Sequence, residues 1–229
     1  MEIGISTASY FPSLTTEACF AEISRAGASI CEVFLESYHE YKEDFTPTLL
    51  AHKCIDVHSV HAISSQFEGE LISQSERALA DARYWLRKVC AQGQAMGAKC
   101  YTFHGPLCLR RVPYVFDFDR LTPLFQAAAD IANEYGITLC YENVHYAFFR
   151  EPSYFAELKK RIPNLGTCFD NKQAMQSGYH WKDYFAVQKD RLCTVHLCDY
   201  DSDGRLCLPG RGTFDFHEFF NVMYGEGIT

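Results

Sequence analysis

Residues 137–142 read ITLCYE, residues 165–170 read LGTCFD and residues 192–199 read LCTVHLCD. Each is a short apolar run that finishes on side chains able to bind a metal: Glu142, Asp170, and His196 with Asp199. An apolar run of this length between turn signals is the pattern of a strand buried on both faces, as in a parallel sheet. Helical patterns lie between the runs, at residues 153–161 just after Pro152 and at residues 181–189. Strand, helix and strand in alternation predict βαβ units.

The same alternation continues outward. Residues 2–7 (EIGIST), 28–35 (ASICEVFL), 55–63 (IDVHSVHAI) and 99–104 (KCYTFH) supply four more strands. Helices are expected at 15–26, with Thr15 or Thr16 as N-cap and Gly27 as stop, at 73–96, at 118–135 and at 214–224. The 73–96 segment carries Ala80, Tyr84, Leu86, Val89, Cys90 and Met96 at helical spacing, and Gly97 ends it. Residues 45–54 read as a short helix or turn. Seven strand–helix units predict an α/β fold with a parallel sheet and helices outside. An open doubly wound sheet is the alternative, but polar residues at nearly every strand's C-terminal end favour a (β/α)8 TIM barrel. We expect one domain over residues 1–229. The closing GEGIT (225–229) reads as the turn into an eighth strand, so the expectation is a sequence truncated before that strand. A seven-stranded barrel would leave unpaired backbone groups on both sides of a seam.

Bulk composition narrows the function classes. The 229 residues carry 21 basic and 29 acidic side chains, a net charge of −8. The densest basic cluster is Lys159, Lys160 and Arg161, which reads as a solvated helix end, so nucleic acid is not an expected partner. Eleven cysteines contain no CxxC pair, which argues against a zinc ribbon or thioredoxin site. Many lie inside apolar runs, where a thiol behaves as a small hydrophobe, and that usage fits a reducing cytoplasm. The N-terminal MEIGISTASYF does not resemble a signal peptide, and no run approaches the length of a membrane span. Aromatic residues reach 15%, which serves either a filled core or an aromatic-walled pocket.

In a closed parallel barrel the C-terminal strand ends converge on one rim. Strand three ends near His58 and His61, strand four at His104, strand five at Glu142-Asn143 with His145 beyond, and strand six at Asp170-Asn171. Strand seven carries His196 and Asp199. Three or more imidazoles and at least two carboxylates would then surround one cavity, a donor set that suits Mn, Co, Zn, Fe or Mg. A lone strand-end histidine is more often structural than a ligand. The weight rests on three consecutive apolar strands that each end in a metal-capable group.

TLCYEN, GTCFDN and TVHLCD resemble successive strand ends of the xylose isomerase-like TIM barrel family. That family includes sugar phosphate isomerases and epimerases, the ketohexose 3-epimerases, inosose dehydratase and endonuclease IV. The resemblance runs from GIST near the start to PGRGTFDF near the end. It implies that Glu142, Asp170 and His196 ligate a divalent metal, with a fourth ligand on strand eight. It also implies that Glu142 is a catalytic base moving a proton α to a carbonyl. The implied activity is a metal-dependent isomerase or epimerase of a small sugar, sugar phosphate or polyol derivative. The alternatives are an inosose-dehydratase-like lyase and a non-catalytic barrel that binds a ligand.

An endonuclease reading comes last. Gln173 stands where endonuclease relatives carry a histidine, and the loop DGRLCLPGRG (203–212) lacks their Asp-x-His. His61 and His104 match the strand-three and strand-four ligands of those nucleases, which keeps a second metal open. The resemblance makes His61, His104, Gln173 and Arg205 substrate-binding candidates, with a structural role as the alternative for the histidines. Arg205 occupies the loop where relatives place an arginine on substrate oxygens. The implied partner is a small-molecule carbohydrate, and a homo-oligomer stays open.

Overall fold

A computed structural model describes residues 2–63, 65–108 and 114–228. Seven parallel strands lie in sequence order: β1 (Ile5–Ser6), β2 (Ile30–Leu35), β3 (Asp56–Ala62), β4 (Cys100–Phe103), β5 (Thr138–Glu142), β6 (Gly166–Asp170) and β7 (Leu192–His196). The helices between them are α1 (Thr16–Arg25), α2 (Thr46–His52), α3 (Glu76–Met96), α4 (Phe118–Glu134), α5 (Pro152–Arg161), α6 (Asn171–Gln176) and α7 (Trp181–Gln188). A small antiparallel hairpin, β8 (Asp199–Tyr200) with β9 (Leu206–Cys207), and helix α8 (Phe216–Gly225) complete the chain. Thr229, the last residue of the turn read as leading to an eighth strand, lies outside the described residues.

The sheet is curled into a half-barrel. β2 and β7 are five strands apart, roughly 24 Å in a flat sheet at about 4.8 Å per strand. Yet Glu32 on β2 and His196 on β7 sit 3.1 Å apart. Only a sheet rolled towards closure brings those positions together. β1 and β7 are its two edges.

Side chains alternate across each strand. Val33, Val60, Tyr101, Phe103, Leu139, Tyr141 and Phe169 belong to the main core with the surrounding helices. Their neighbours in sequence, Glu32, Ser59, His61, Thr102, Glu142 and Asp170, are buried polar groups. Cys100, Cys140 and Cys168 form a separate buried cluster. All eleven cysteines are free thiols.

Local chemistry sets the element ends. α3 begins later than the 73–96 reading because Ser75 caps it, its hydroxyl accepting from Ala78 N, while Glu68–Ile72 form a separate 3-10 turn. Gly97 ends α3 at φ 88, a left-handed conformation open to glycine. β1 is only two residues long because the chain turns at once into a 3-10 helix, Thr7–Tyr10, capped by the Ser6 hydroxyl. β7 stops at His196, so Asp199 belongs to the following hairpin rather than to the strand. Its carboxylate accepts backbone N–H bonds from Tyr200, Gly210, Gly212 and Phe214, which folds the Gly-rich loop around it. No described helix is long and apolar enough to cross a membrane.

Candidate metal centre

Three strand ends deliver Glu142, Asp170 and His196 to one place. His196 Nδ1 lies 3.4 Å from Glu142 Oε1 and 3.9 Å from Asp170 Oδ2. Two asparagines that follow the carboxylates fix the spacing. Asn143 donates through Nδ2 to Asp170 O at 2.8 Å and accepts from Asp170 N at 2.9 Å. Asn171 repeats the arrangement one strand on, donating to Cys198 O at 2.8 Å and accepting from Cys198 N at 2.9 Å. Each side-chain amide substitutes for a pair of sheet hydrogen bonds where the ladder ends, and so locks adjacent ends in register. Asp170 also caps α6, accepting from Gln173 N at 2.7 Å. Oδ1 is thereby occupied, while Oδ2 faces His196.

His61 and His104 enter from the other side. Their ring centroids are 4.5 Å apart, and His104 Nε2 lies 3.0 Å from Glu142 Oε2. His61 donates through Nδ1 to Thr102 O at 2.8 Å, so its neutral ring keeps the lone pair on Nε2. His104 Nδ1 lies 3.3 Å from the Tyr146 hydroxyl. The backbone leaving β4 is held by Glu68, a fully buried carboxylate. It accepts from Tyr101 Oη at 2.7 Å, His104 N at 3.0 Å and Gly105 N at 2.8 Å. Gly105 has φ 74, and a side chain there would collide with the Tyr141 hydroxyl.

Among the described residues, two groups have ligand atoms all within 4.8 Å of one another: His61, His104 and Glu142, and Glu142, Cys168 and His196. Glu142 belongs to both. Its Oε2 is buried and finds no aligned hydrogen-bond donor, despite the nearness of His104. An orphaned carboxylate oxygen among imidazoles and a second carboxylate is what a divalent ion would satisfy, and the N/O donors suit Mn, Co, Zn or Fe. The residues present therefore fit a metal.

The charges are strongly coupled. Burial alone would push the Glu142 carboxyl up, but His104 and His196 outweigh it and hold the group well below the usual carboxylate range. Asp170 moves the other way, up to about 7, through burial and then the adjacent Glu142 charge. Burial and His104 lower His61 to about 4, which keeps it neutral near pH 7. Burial opposes protonation of His196, yet Cys168, Glu32 and Glu142 raise its pKa well above the usual histidine value. Glu68 is pushed up to about 7, chiefly by burial.

Of the other residues singled out from sequence, Gln173 is buried beside the site. Its Oε1 accepts from His145 N at 3.2 Å and lies 2.6 Å from His145 Nδ1. Arg205 is not brought in. Its side chain is 77% exposed, and its guanidinium pairs with Asp203 on the same surface turn at 2.9 Å. His58 also falls away from the rim, contacting Cys100 Sγ at 3.6 Å and Cys193 O at 3.2 Å near the strand starts. Sequence reasoning passed over Glu32, Glu68 and Cys168, and placed Asn143 and Asn171 at strand ends without giving them a role. The signals were present: a glutamate inside the apolar ICEVFL, and the repeated carboxylate–asparagine pairs of YEN and FDN.

A profile of the xylose isomerase-like TIM barrel matches residues 20–229. The chain belongs to the xylose isomerase-like TIM barrel family. No curated protein sequence matches it. Solved structures of similar fold include a D-tagatose 3-epimerase-like protein, at 20% identity and TM-score 0.79, covering 99% of this chain and 87% of that one. An L-ribulose 3-epimerase matches at 15% identity and TM-score 0.80, over 99% of this chain and 78% of its own. A 3-keto-D-glucoside 4-epimerase from E. coli matches at 14% identity and TM-score 0.76, over 100% and 89%. At these identities the similarity shows a shared fold.

Proposed function

We propose that this xylose isomerase-like barrel is a metal-dependent isomerase or epimerase of a small sugar or sugar derivative, acting by proton transfer α to a carbonyl. The observation that carries the reading is Glu142, a buried carboxylate with one orphaned oxygen, set between His104 and His196. The L-ribulose 3-epimerase, the 3-keto-D-glucoside 4-epimerase and the D-tagatose 3-epimerase-like protein support it as relatives in fold.

Glu142, Asp170 and His196 would hold the metal. A divalent ion held there would supply polarisation of a substrate carbonyl, which makes the adjacent C–H more acidic. Glu142 takes the proton from the carbon α to the carbonyl. Burial limits competition from water at that carboxylate. His61 Nε2 and His104 bind substrate hydroxyls from the side opposite His196. Gln173 presents its amide N–H2, since its oxygen faces His145. Arg205 stays outside this arrangement.

The test is solvent exchange. The protein, loaded with Mn²⁺ or Co²⁺, is incubated in D2O with a panel of ketoses and keto-derivatives, and deuterium at the α carbon is read by NMR. Exchange that disappears with EDTA and returns with the metal is the expected result. No exchange across the panel would remove the reading. Net loss of water from a keto-polyol would replace it with a lyase.

A further inference from the structure

Glu32 has no role in the proton transfer described above, yet it is one of the most heavily bonded side chains in the molecule. It lies within β2, flanked by Cys31 and Val33, and is 8% exposed. Ser6 Oγ donates to Oε1 at 3.1 Å. Ser59 Oγ at 2.8 Å and Thr102 Oγ1 at 2.7 Å donate to Oε2. His196 Nε2 approaches the same oxygen at 3.1 Å. One carboxylate on β2 therefore joins side chains from β1, β3, β4 and β7.

An ionised carboxylate only accepts, so the His196 nitrogen facing it must carry a hydrogen. The other ring nitrogen, Nδ1, faces Glu142 and Asp170. The two lone-pair directions of an imidazole diverge, so an ion held at Nδ1 lies on the far side of the ring from Glu32. Glu32 is placed to orient a ligand, not to be one. A ligating histidine whose second N–H is held by a carboxylate has a fixed tautomer, a fixed ring plane and a more basic donor nitrogen.

We infer that Glu32 is the positioning residue of the metal centre, fixing His196 with its proton on Nε2 and its metal-binding lone pair on Nδ1. The inference rests on the proposed metal reading and adds to it the choice of nitrogen and the group that makes the choice. The three hydroxyls that hold Glu32 keep the carboxylate from turning away when His196 takes up an ion.

The test uses Zn²⁺ as the probe. In protein labelled with 15N-histidine and loaded with Zn²⁺, the His196 signals are assigned by comparison with His196→Asn. The expected spectrum has the metal on Nδ1 and the proton on Nε2. Glu32→Gln keeps the side chain's shape and removes its charge. The expected change is a 10–100-fold loss of Zn²⁺ affinity, measured by competition with a chromophoric chelator, with an unchanged circular dichroism spectrum and melting curve. Zn²⁺ on Nε2, or an affinity within twofold of wild type in Glu32→Gln, overturns the role of Glu32 and leaves the metal reading standing. A folded wild-type protein that takes up no Zn²⁺, Mn²⁺ or Co²⁺ removes the metal reading and this inference with it. If Glu32→Gln does not fold, the nitrogen assignment in the wild type decides alone.

Discussion

Glu142 is the side chain on which both ligand groups depend, because it is the one residue they share. Glu142→Gln keeps the volume and removes the charge. Turnover should fall by roughly 10²–10⁴-fold, the range that loss of a general base costs, and the divalent metal retained after desalting should fall with it. Activity near the wild-type level would place the site elsewhere. Glu68 makes a different prediction. Its folded pKa is raised from 4.5 to about 7 by burial, so its contribution to stability is fully present below pH 4.5 and is lost as the pH rises to 7. A shift of that size corresponds to roughly 3 kcal/mol. Glu68→Gln can still accept both backbone N–H groups through its oxygen and donate to Tyr101 through its amide. The unfolding free energy of wild type minus Glu68→Gln should therefore decline by a few kcal/mol between pH 4.5 and 7. A flat difference in urea titrations would mean that Glu68 ionises freely.

At the scale of elements, the strand ends carry the design. The C-terminal limits of β5 and β6 were legible because each apolar run breaks on a carboxylate. Glu142 and Asp170 could thus be placed at strand ends without any knowledge of packing, whereas the role of His196 came from the family resemblance. Glu32 escaped that reading because it lies inside its strand, and its partner His196 follows 164 residues later. No local pattern shows that β2 and β7 face each other; only closure of the sheet does. Asp199 was misplaced for the converse reason: LCTVHLCD is continuous as a sequence, but its carboxylate is drawn off by four backbone N–H groups of the hairpin loop. α6 went unread because it is only Asn171–Gln176 and starts directly from a strand, its N-cap being Asp170 itself. The asparagine clamps should show in stability. Asn143→Ala and Asn171→Ala each strip two hydrogen bonds from backbone groups at a strand end and should each cost about 1–3 kcal/mol in urea unfolding. A loss under about 0.5 kcal/mol would mean that the clamps merely follow the register set by the sheet.

At the scale of the molecule, alternation of seven apolar runs with helical patterns gives an α/β fold with a parallel sheet, and the polar strand ends are what favour a barrel over an open sheet. Composition was informative about the thiols too. Six of the eleven are buried, Cys54 and Cys193 are exposed, and none is bridged. A thiol reagent such as Ellman's should therefore modify about two groups quickly in the native protein, all eleven in guanidinium, and the melting temperature should not change with reductant. Fewer than eleven reactive groups in unreduced, denatured protein would reveal a bridge.

The contact between Glu32 and His196 also has a meaning in time. A polypeptide leaves the ribosome at about 5–20 residues per second. His196 therefore follows Glu32 by roughly 8–30 s, because 164 residues separate them. Once Thr102 has been made, 70 residues after Glu32, Ser6, Ser59 and Thr102 can gather around the carboxylate, whereas the imidazole that completes the set has still to come. A nascent chain halted before β7 would carry the hydroxyl cradle without its cation. Under the proposed reading, the centre formed by Glu142, Asp170 and His196 should capture a divalent ion in growing chains only once His196 has emerged.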